Sequence, residues 1–95
     1  MDLAYKHLVK KPNGATEIDG RGIRVYTILG LTESGDSPEV IAKEYRLPLG
    51  AVYEALAYAA DHPEEMEAIR ERELAVERKI LLAIPEELRR GISIP

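Results

Sequence analysis

The side chains with the most obvious chemistry are two histidines and 17 acidic residues in a chain of 95. His7 and His62 are far apart in sequence, and because the chain has no cysteine, neither has a partner at the spacing of a metal site. Most carboxylates lie in runs of mixed charge, which are typical of a solvated helix face. Gly20 and Gly22 fit turns better than a phosphate-binding loop, and no nucleophile is paired with a base. We therefore expect a protein that is not an enzyme and that uses no metal or cofactor.

Basic side chains offer a second kind of chemistry, the neutralisation of nucleic-acid phosphates. The first 24 residues hold five lysines and arginines against three acidic residues, a balance of only +2. Such a balance fits scattered solubilising charge as well as it fits contact with the DNA backbone. If the chain binds DNA, the candidate contacts are Lys10, Lys11, Arg21, Arg24, Lys43 and Arg46.

The C-terminal third combines arginines with a broad apolar stripe. Its apolar residues recur on two neighbouring helical lines, Met66, Ile69, Val76 and Ile80 on one and Leu74, Leu81 and Leu88 on the other. A stripe this wide needs a cover, which is this chain's own core, a second protomer or a partner protein. Arginine suits a carboxylate-rich partner, because its planar guanidinium pairs with two carboxylate oxygens at once. The candidate partner contacts are Ile69, Arg70, Arg78, Leu81, Leu88, Arg89 and Arg90.

Short strands are predicted before any helix. Asn13-Gly14 is a strong hairpin signal between the loosely alternating segment 5–10 and a return strand at 15–18. A second turn, Asp19–Gly22, precedes a short strand around residues 23–25. Strands this short bury little surface alone, so we expect them to pack on helices or to pair with another chain.

Three helices are predicted in the middle of the chain. The first begins at Tyr26 and ends near Gly35, a residue suited to a helix C-terminus. Ser37-Pro38 is an N-cap followed by proline at the first helical position, which begins the second helix. The third helix is predicted to begin after Pro48 and to end at His62-Pro63.

A long charged helix is predicted from Pro63 to about Ala83, followed by a short turn at 86–90 and an extended tail. The fold class is therefore mainly α: a three-helix core with a short N-terminal β-hairpin and a long C-terminal helix. Residues 1–62 form one unit, and residues 63–95 form a helix and tail for partner binding or dimerisation.

The three central helices carry the spacing of a helix-turn-helix, although an ordinary three-helix bundle fits the pattern equally well. Ala42 fits the position where two helices cross, Leu47 the turn, and Val52 the anchor of the second helix. Ile41, Tyr45 and Leu56 complete the expected core. Arg46 stands where such turns favour glycine, and this departure predicts a strained turn.

The third helix is a poor reader of DNA bases. Its expected outward residues are Pro48, Leu49, Gly50, Tyr53, Glu54 and Ala57. The side chains that usually read base edges are absent between residues 47 and 60. Glu54 and Asp61 would face phosphate unfavourably. DNA binding through this helix is therefore expected to be weak.

Composition favours a cytoplasmic protein that forms a homodimer. The net charge of −4 divides into −1 for residues 1–60 and −3 for residues 61–95, an acidic balance that does not suit a dedicated nucleic-acid binder. No apolar run approaches the roughly 20 residues of a membrane span, and no signal peptide is evident. A chain of this length with no tryptophan or phenylalanine has a small core, which association of two copies often supplements.

The segment SGDSPEVIAKEYRLPLGAVYEALAYAADHPEE resembles the domain-of-unknown-function family numbered 433, small helix-turn-helix proteins regarded as antitoxins. The upstream segment IDGRGIRVYTIL is similar to the entry of that family, a strand, a turn and the first helix. The resemblance covers roughly residues 5–65. It departs at Arg21-Gly22, where the family favours Thr-Arg.

The resemblance implies a VapB-like antitoxin of a type II toxin–antitoxin pair, with a PIN-like ribonuclease as its toxin. It also implies a dimer and contact with the promoter of its own operon. The partner contacts proposed above for residues 64–95 would then be toxin contacts. A stand-alone dimeric helix-turn-helix regulator without a toxin, and a purely structural dimerisation module, are the alternatives.

Overall fold

The computed structural model describes residues 5–89, with the backbone alone at Arg89. Three strands come first, β1 (Leu8–Lys10), β2 (Thr16–Ile18) and β3 (Ile23–Arg24). Five helices follow, α1 (Val25–Glu33), α2 (Pro38–Tyr45), α3 (Leu49–Asp61), α4 (Pro63–Ala83) and α5 (Glu86–Arg89). The prediction of a mainly α protein with a long helix from Pro63 to Ala83 is confirmed. Residues 90–95, which include the predicted partner contact Arg90 and the predicted extended tail, lie outside the described part of the chain.

The strands form one antiparallel sheet in the order β1-β2-β3, so the N-terminal element is a three-stranded sheet rather than a simple hairpin. Leu8 pairs with Ile18, and Ile18 pairs in turn with Ile23. The third strand joins because the chain reverses within four residues, with Gly20 and Gly22 at φ values of +77° and +70°. Glycine adopts this left-handed region without the clash that a Cβ atom causes.

Local signals fix the ends of α2. The Ser37 side chain accepts a hydrogen bond from the Val40 backbone N–H at 3.2 Å, as the predicted N-cap requires. At the other end, Arg46 adopts the left-handed conformation (φ 55°, ψ 49°), so the predicted strain in this turn is present. The Leu47 N–H then bonds the Ala42 carbonyl at 2.8 Å, which closes the helix end.

One predicted core residue is wrong. Tyr45 is 42 % exposed, although its spacing from Ile41 placed it on the inner face of α2. Because α2 ends at Tyr45 and Arg46 reverses the chain, the buried Leu47 packs in the core instead. Ile41 and Val52 are fully buried as predicted.

The core is contributed by the sheet, the first four helices and the α2–α3 turn. Its buried apolar members are Ile18, Val25, Ile28, Ile41, Leu47, Ala51, Val52, Ala55, Tyr58, Ala59, Met66 and Ile69. Helix α4 adds only Met66 and Ile69 to this core, both from its first two turns. Every residue from 71 to 80 is exposed, so the second half of α4 lies outside the core.

Candidate functional site

The six basic residues predicted to contact DNA lie on different parts of the surface. Lys10 and Arg24 are directed to α4, where Lys10 Nζ lies 3.5 Å from Glu65 Oε2 and Arg24 Nη2 lies 2.9 Å from Glu73 Oε2. These two ion pairs join the sheet to the long helix, so both cations already have carboxylate partners. Lys11 is exposed in the turn between β1 and β2.

Arg21 and Arg46 come together at the turn between α2 and α3, although 25 residues separate them. Arg21 Nη1 donates a hydrogen bond to the Arg46 carbonyl oxygen at 2.7 Å. Lys43 lies in the last turn of α2, and all three residues are exposed. Helix α3 begins beside them at Leu49 with no side-chain cap and no acidic residue in its first turn. We call Arg21, Lys43 and Arg46 the basic turn cluster, an arrangement that suits a negatively charged partner.

The two acidic residues of α3 form hydrogen bonds with the N-terminal segment. The His7 N–H donates to Glu54 Oε1 at 2.8 Å, and His7 Nδ1 lies 2.8 Å from Glu54 Oε2. Burial disfavours the charged form of Glu54, but the bonds from His7 outweigh it and hold the pKa of this carboxyl below its ordinary value. The Tyr5 hydroxyl donates to Asp61. Glu54 is therefore turned towards the sheet side of α3, which differs from its predicted outward position.

A buried polar cluster, Thr16, Tyr58 and Glu65 with Lys10 at its edge, joins the sheet to α3 and α4. The Tyr58 hydroxyl donates to Glu65 Oε1 at 2.6 Å, and Thr16 Oγ1 lies 3.0 Å from Glu65 Oε2. Burial opposes ionisation of Glu65, yet the bonds from Tyr58 and Thr16 and the charge of Lys10 lower the pKa of this carboxyl.

Sequence reasoning missed this buried polar cluster, because residues 42 to 49 positions apart carry most of it. The sequence also gave no sign that the His62 ring stacks on the Tyr58 ring, at a centroid distance of 4.0 Å. The only local signal was the pair Tyr58 and Glu65, seven residues apart across the break at Pro63.

The predicted partner contacts divide between core and surface. Ile69 is 8 % exposed and belongs to the core, so it is not available to a partner. Arg70, Arg78 and Leu88 are exposed, and Leu81 is half-buried. The side chain of Arg89 and the whole of Arg90 lie outside the described residues.

Four further apolar residues are exposed on the second half of α4, namely Leu74, Val76, Ile80 and Leu82. Val76 and Ile80 border a shallow groove of about 480 Å³ together with Arg72, Glu73 and Glu77. Arg72 also lines a larger groove of about 540 Å³ between α4 and the β1–β2 turn. Arg72 therefore borders both grooves, the shallow one on α4 and the larger one beside the sheet.

Metal sites and membrane-spanning helices are two further candidate features of residues 5–89. No group of three or more histidine, aspartate or glutamate side chains is placed to hold a metal ion there. Within the same part of the chain, no helix combines the length and the apolar content of a membrane span.

A family model described as a protein of unknown function, DUF433, matches residues 10–59. The match runs from β1 to near the end of α3 and covers slightly more than half of the chain. It stops before α4, so the projecting helix lies beyond the matched segment. No curated protein and no solved structure matches the chain.

Proposed function

We propose, from the premise that this chain belongs to the DUF433 family of proteins of unknown function, that it is a cytoplasmic antitoxin of a type II toxin–antitoxin pair. Its toxin is a PIN-like ribonuclease, which it binds and neutralises. The observation that carries this proposal is the second half of α4, residues 71–83, where Leu74, Val76, Ile80 and Leu82 are exposed.

Uncovered apolar side chains on a projecting helix favour a protein partner. Val76, Ile80 and Leu82 are 56 %, 58 % and 67 % exposed, whereas Met66 and Ile69 on the first half of the same helix are buried in the core. Val76 and Ile80 lie one turn apart on the same side of α4, and an exposed apolar pair of this kind often marks a contact with another protein. A helix of this kind commonly binds by laying its apolar face into a groove of its partner.

The arginines of the same segment favour a carboxylate-rich partner. Arg70 and Arg78 are exposed on α4, and Arg89 and Arg90 follow at the end of the chain. A PIN-like ribonuclease gathers carboxylates around a divalent metal, and a guanidinium can pair with two carboxylate oxygens at once. Residues 64–95 therefore bind the toxin in this proposal, with Arg89 or Arg90 near its active site.

We expect the adjacent reading frame to encode a PIN-like ribonuclease, and the test is RNA cleavage by that protein with and without this chain. The full chain is expected to stop cleavage, and a chain of residues 1–83 is expected to inhibit less while its helical circular dichroism persists. Val76→Asp is expected to weaken toxin binding by roughly tenfold or more, because it places a charge in the apolar contact.

Val40→Asp is the matched control, since Val40 is also an exposed valine on a helix but lies on α2. Full inhibition by residues 1–83 would remove the C-terminal arginines from the mechanism. Equal toxin binding by the Val76→Asp and Val40→Asp variants would show that the second half of α4 does not contact the toxin.

A second function, promoter binding, is favoured by the basic turn cluster. In this proposal α2, the turn at Arg46 and α3 form a helix-turn-helix, whether the chain also neutralises a toxin or acts as a stand-alone regulator. The base-reading side chains are missing from α3, so phosphate contacts must supply most of the affinity.

Fluorescence anisotropy with the upstream duplex tests this second function. Binding is expected to weaken steeply with salt, and Arg46→Ala or Lys11→Ala is expected to reduce it more than Tyr53→Ala does. A change of sequence preference on substitution of Tyr53 would contradict this, because it would make α3 a base-reading helix.

A further inference from the structure

A groove of about 250 Å³ separates α1 from the first half of α4. The residues that line it recur at helical spacing on both helices: Tyr26, Leu29, Gly30 and Glu33 on α1, and Pro63, Met66, Glu67 and Arg70 on α4. The buried side chains of Ala59 and Met66 form part of its floor.

A second hollow of about 280 Å³ continues this groove along α4. Tyr26 and Arg70 line both hollows, and the second hollow adds Glu73, Leu74 and Glu77. We call the two hollows together the α1–α4 groove. It follows α4 from Pro63 to Glu77, a distance of about 21 Å or roughly four helical turns.

Gly30 leaves part of the α1 wall of this groove without a side chain. It lies inside α1, where glycine destabilises a helix relative to alanine. The C-cap of α1 is Ser34, so Gly30 is not needed to end the helix. A Cβ atom at Gly30 would meet no atom of residues 5–89 within 4 Å. The fold therefore does not require glycine at this position, and its effect is to widen the groove.

The charged residues along the groove are mostly acidic: Glu33, Glu67, Glu73 and Glu77 against Arg70 alone. Glu73 pairs with Arg24 at 2.9 Å. The other three glutamates are exposed, and no ion pair between described residues engages them. An acidic rim of this kind repels the phosphates of nucleic acid and attracts cationic side chains.

We infer that the α1–α4 groove binds a basic amphipathic helix of another protein. The apolar side chains of that helix cover the floor of the groove and Leu74, which is 48 % exposed. Its lysines or arginines lie against glutamates on both sides of the groove, Glu33 on α1 and Glu67 and Glu77 on α4. The bare backbone at Gly30 lets the bound helix approach α1 closely.

This inference goes beyond the antitoxin proposal. The groove lies on the side of α4 that carries Glu67, Arg70 and Leu74, whereas Val76 and Ile80 lie on a neighbouring side of the helix. Val76→Asp, which tests the antitoxin proposal, is therefore expected to leave binding in the groove intact. The two proposals can fail separately.

Fluorescence anisotropy of a labelled synthetic peptide with the full chain tests the inference. The probe is an amphipathic helix of about 14 residues, with leucines at i, i+3, i+4 and i+7 and lysines elsewhere. The full chain is expected to bind this lysine peptide at micromolar concentration, and to bind a peptide with glutamates in place of the lysines roughly tenfold more weakly or less. Equal affinity for the two peptides would overturn the inference, as would no binding of the lysine peptide up to about 1 mM.

Gly30→Leu fills the groove from the α1 side. It is expected to weaken binding of the lysine peptide roughly tenfold or more, because the leucine side chain occupies the space of the bound helix. Its Tm is expected to rise by roughly 3–6 °C, because leucine favours a helix more than glycine does, and this separates lost binding from lost folding. Ala75→Leu is the matched control, an exposed alanine on another side of α4, and is expected to bind like the wild type. Equal affinities of the two variants would exclude the groove as the binding site.

Charge reversal separates the groove from the acidity of the whole chain. Glu67→Lys and Glu44→Lys change the net charge equally, but Glu67 lines the groove and Glu44 is exposed on α2. Glu67→Lys is expected to weaken binding roughly fivefold and Glu44→Lys less than about twofold, because only Glu67 faces the bound lysines. Equal losses would mean that net charge alone attracts the peptide, which would overturn the inference.

Discussion

Tyr58→Phe isolates the energetic role of the buried polar cluster. The substitution removes one hydroxyl and keeps the ring, so the stacking on His62 and the edge contact with Tyr5 are retained. It removes the 2.6 Å bond that Tyr58 donates to Glu65 and the bond that its oxygen accepts from Lys10. The Glu65 carboxylate then keeps Thr16 and Lys10 as its partners.

The expected loss follows from burial. Tyr58 is 9 % exposed and the Glu65 side chain is 23 % exposed, so water replaces the lost bond poorly. A hydrogen bond to a charged group contributes about 1.5–3 kcal/mol. The partial exposure of Glu65 and its remaining partners reduce this, and we expect a loss of about 1–2 kcal/mol in the free energy of unfolding. In a domain of this size, each 1 kcal/mol lowers Tm by about 4–8 °C.

Tyr53→Phe is the matched control on the same helix. Tyr53 also donates to a carboxylate, that of Glu39 at 2.9 Å, but its side chain is 48 % exposed. Water can replace this bond, so we expect no resolvable change in stability.

The loss in Tyr58→Phe should depend on pH. In the folded protein the pKa of Glu65 is held below its ordinary value of 4.5. A carboxyl with a lowered folded pKa stabilises the fold above its unfolded pKa, and this stabilisation disappears as the pH falls through the folded value. The difference between wild type and Tyr58→Phe is therefore expected to be full near pH 7 and to shrink below about pH 4.

Urea unfolding followed by circular dichroism, at one fixed protein concentration, measures these differences. A shift of the midpoint with an unchanged slope reports a change in stability. Equal losses for the Tyr58 and Tyr53 variants would refute the argument from burial. A loss for Tyr58→Phe that persists unchanged in acid would refute the assignment of the effect to ionised Glu65.

Three further substitutions test other parts of the structure. Arg46→Gly is expected to stabilise the fold by about 0.5–1 kcal/mol, because glycine adopts the left-handed conformation without the steric strain of a side chain. Lys43→Gly, within α2, is expected to destabilise the fold by about 1 kcal/mol. Urea unfolding measures both changes. Ser37→Ala is expected to cost about 1 kcal/mol through loss of the N-cap bond, measured in the same way. Ile69→Ala is expected to lower the free energy of unfolding by about 2–4 kcal/mol. Ile80→Ala, on the same helix, is expected to change it little, because only Ile69 is buried. Equal losses would contradict the burial assigned to α4.

Local sequence by itself determined where the helices begin and end. Ser37-Pro38 begins α2, the break at His62-Pro63 separates α3 from α4, and Pro85 follows the end of α4 at Ala83. These signals work from sequence because capping bonds and proline sterics involve residues within about four positions of each other. The strained turn at Arg46 was predictable for the same reason.

Periodicity predicted which helices are amphipathic but not what covers each face. It placed Ile69 and Ile80 on one stripe of α4, yet Ile69 packs in the core and Ile80 is 58 % exposed. The hydrophobic pattern cannot distinguish Ile69 from Ile80, because their burial depends on how far along α4 the rest of the core extends. Tyr45 was misplaced for a related reason, since α2 ends there and the turn at Arg46 leaves it 42 % exposed while Leu47 is buried.

Tertiary structure alone decided the partners of the charged side chains. Lys10 pairs with Glu65, Arg24 with Glu73, and His7 with Glu54, each across 47 or more residues of sequence. No spacing rule reaches across such distances, because the sheet, α3 and α4 must first pack on the common apolar core. The electrostatic character of this surface is therefore a consequence of packing: two of the six cations that the sequence offered to DNA, Lys10 and Arg24, are held by carboxylates of the same chain.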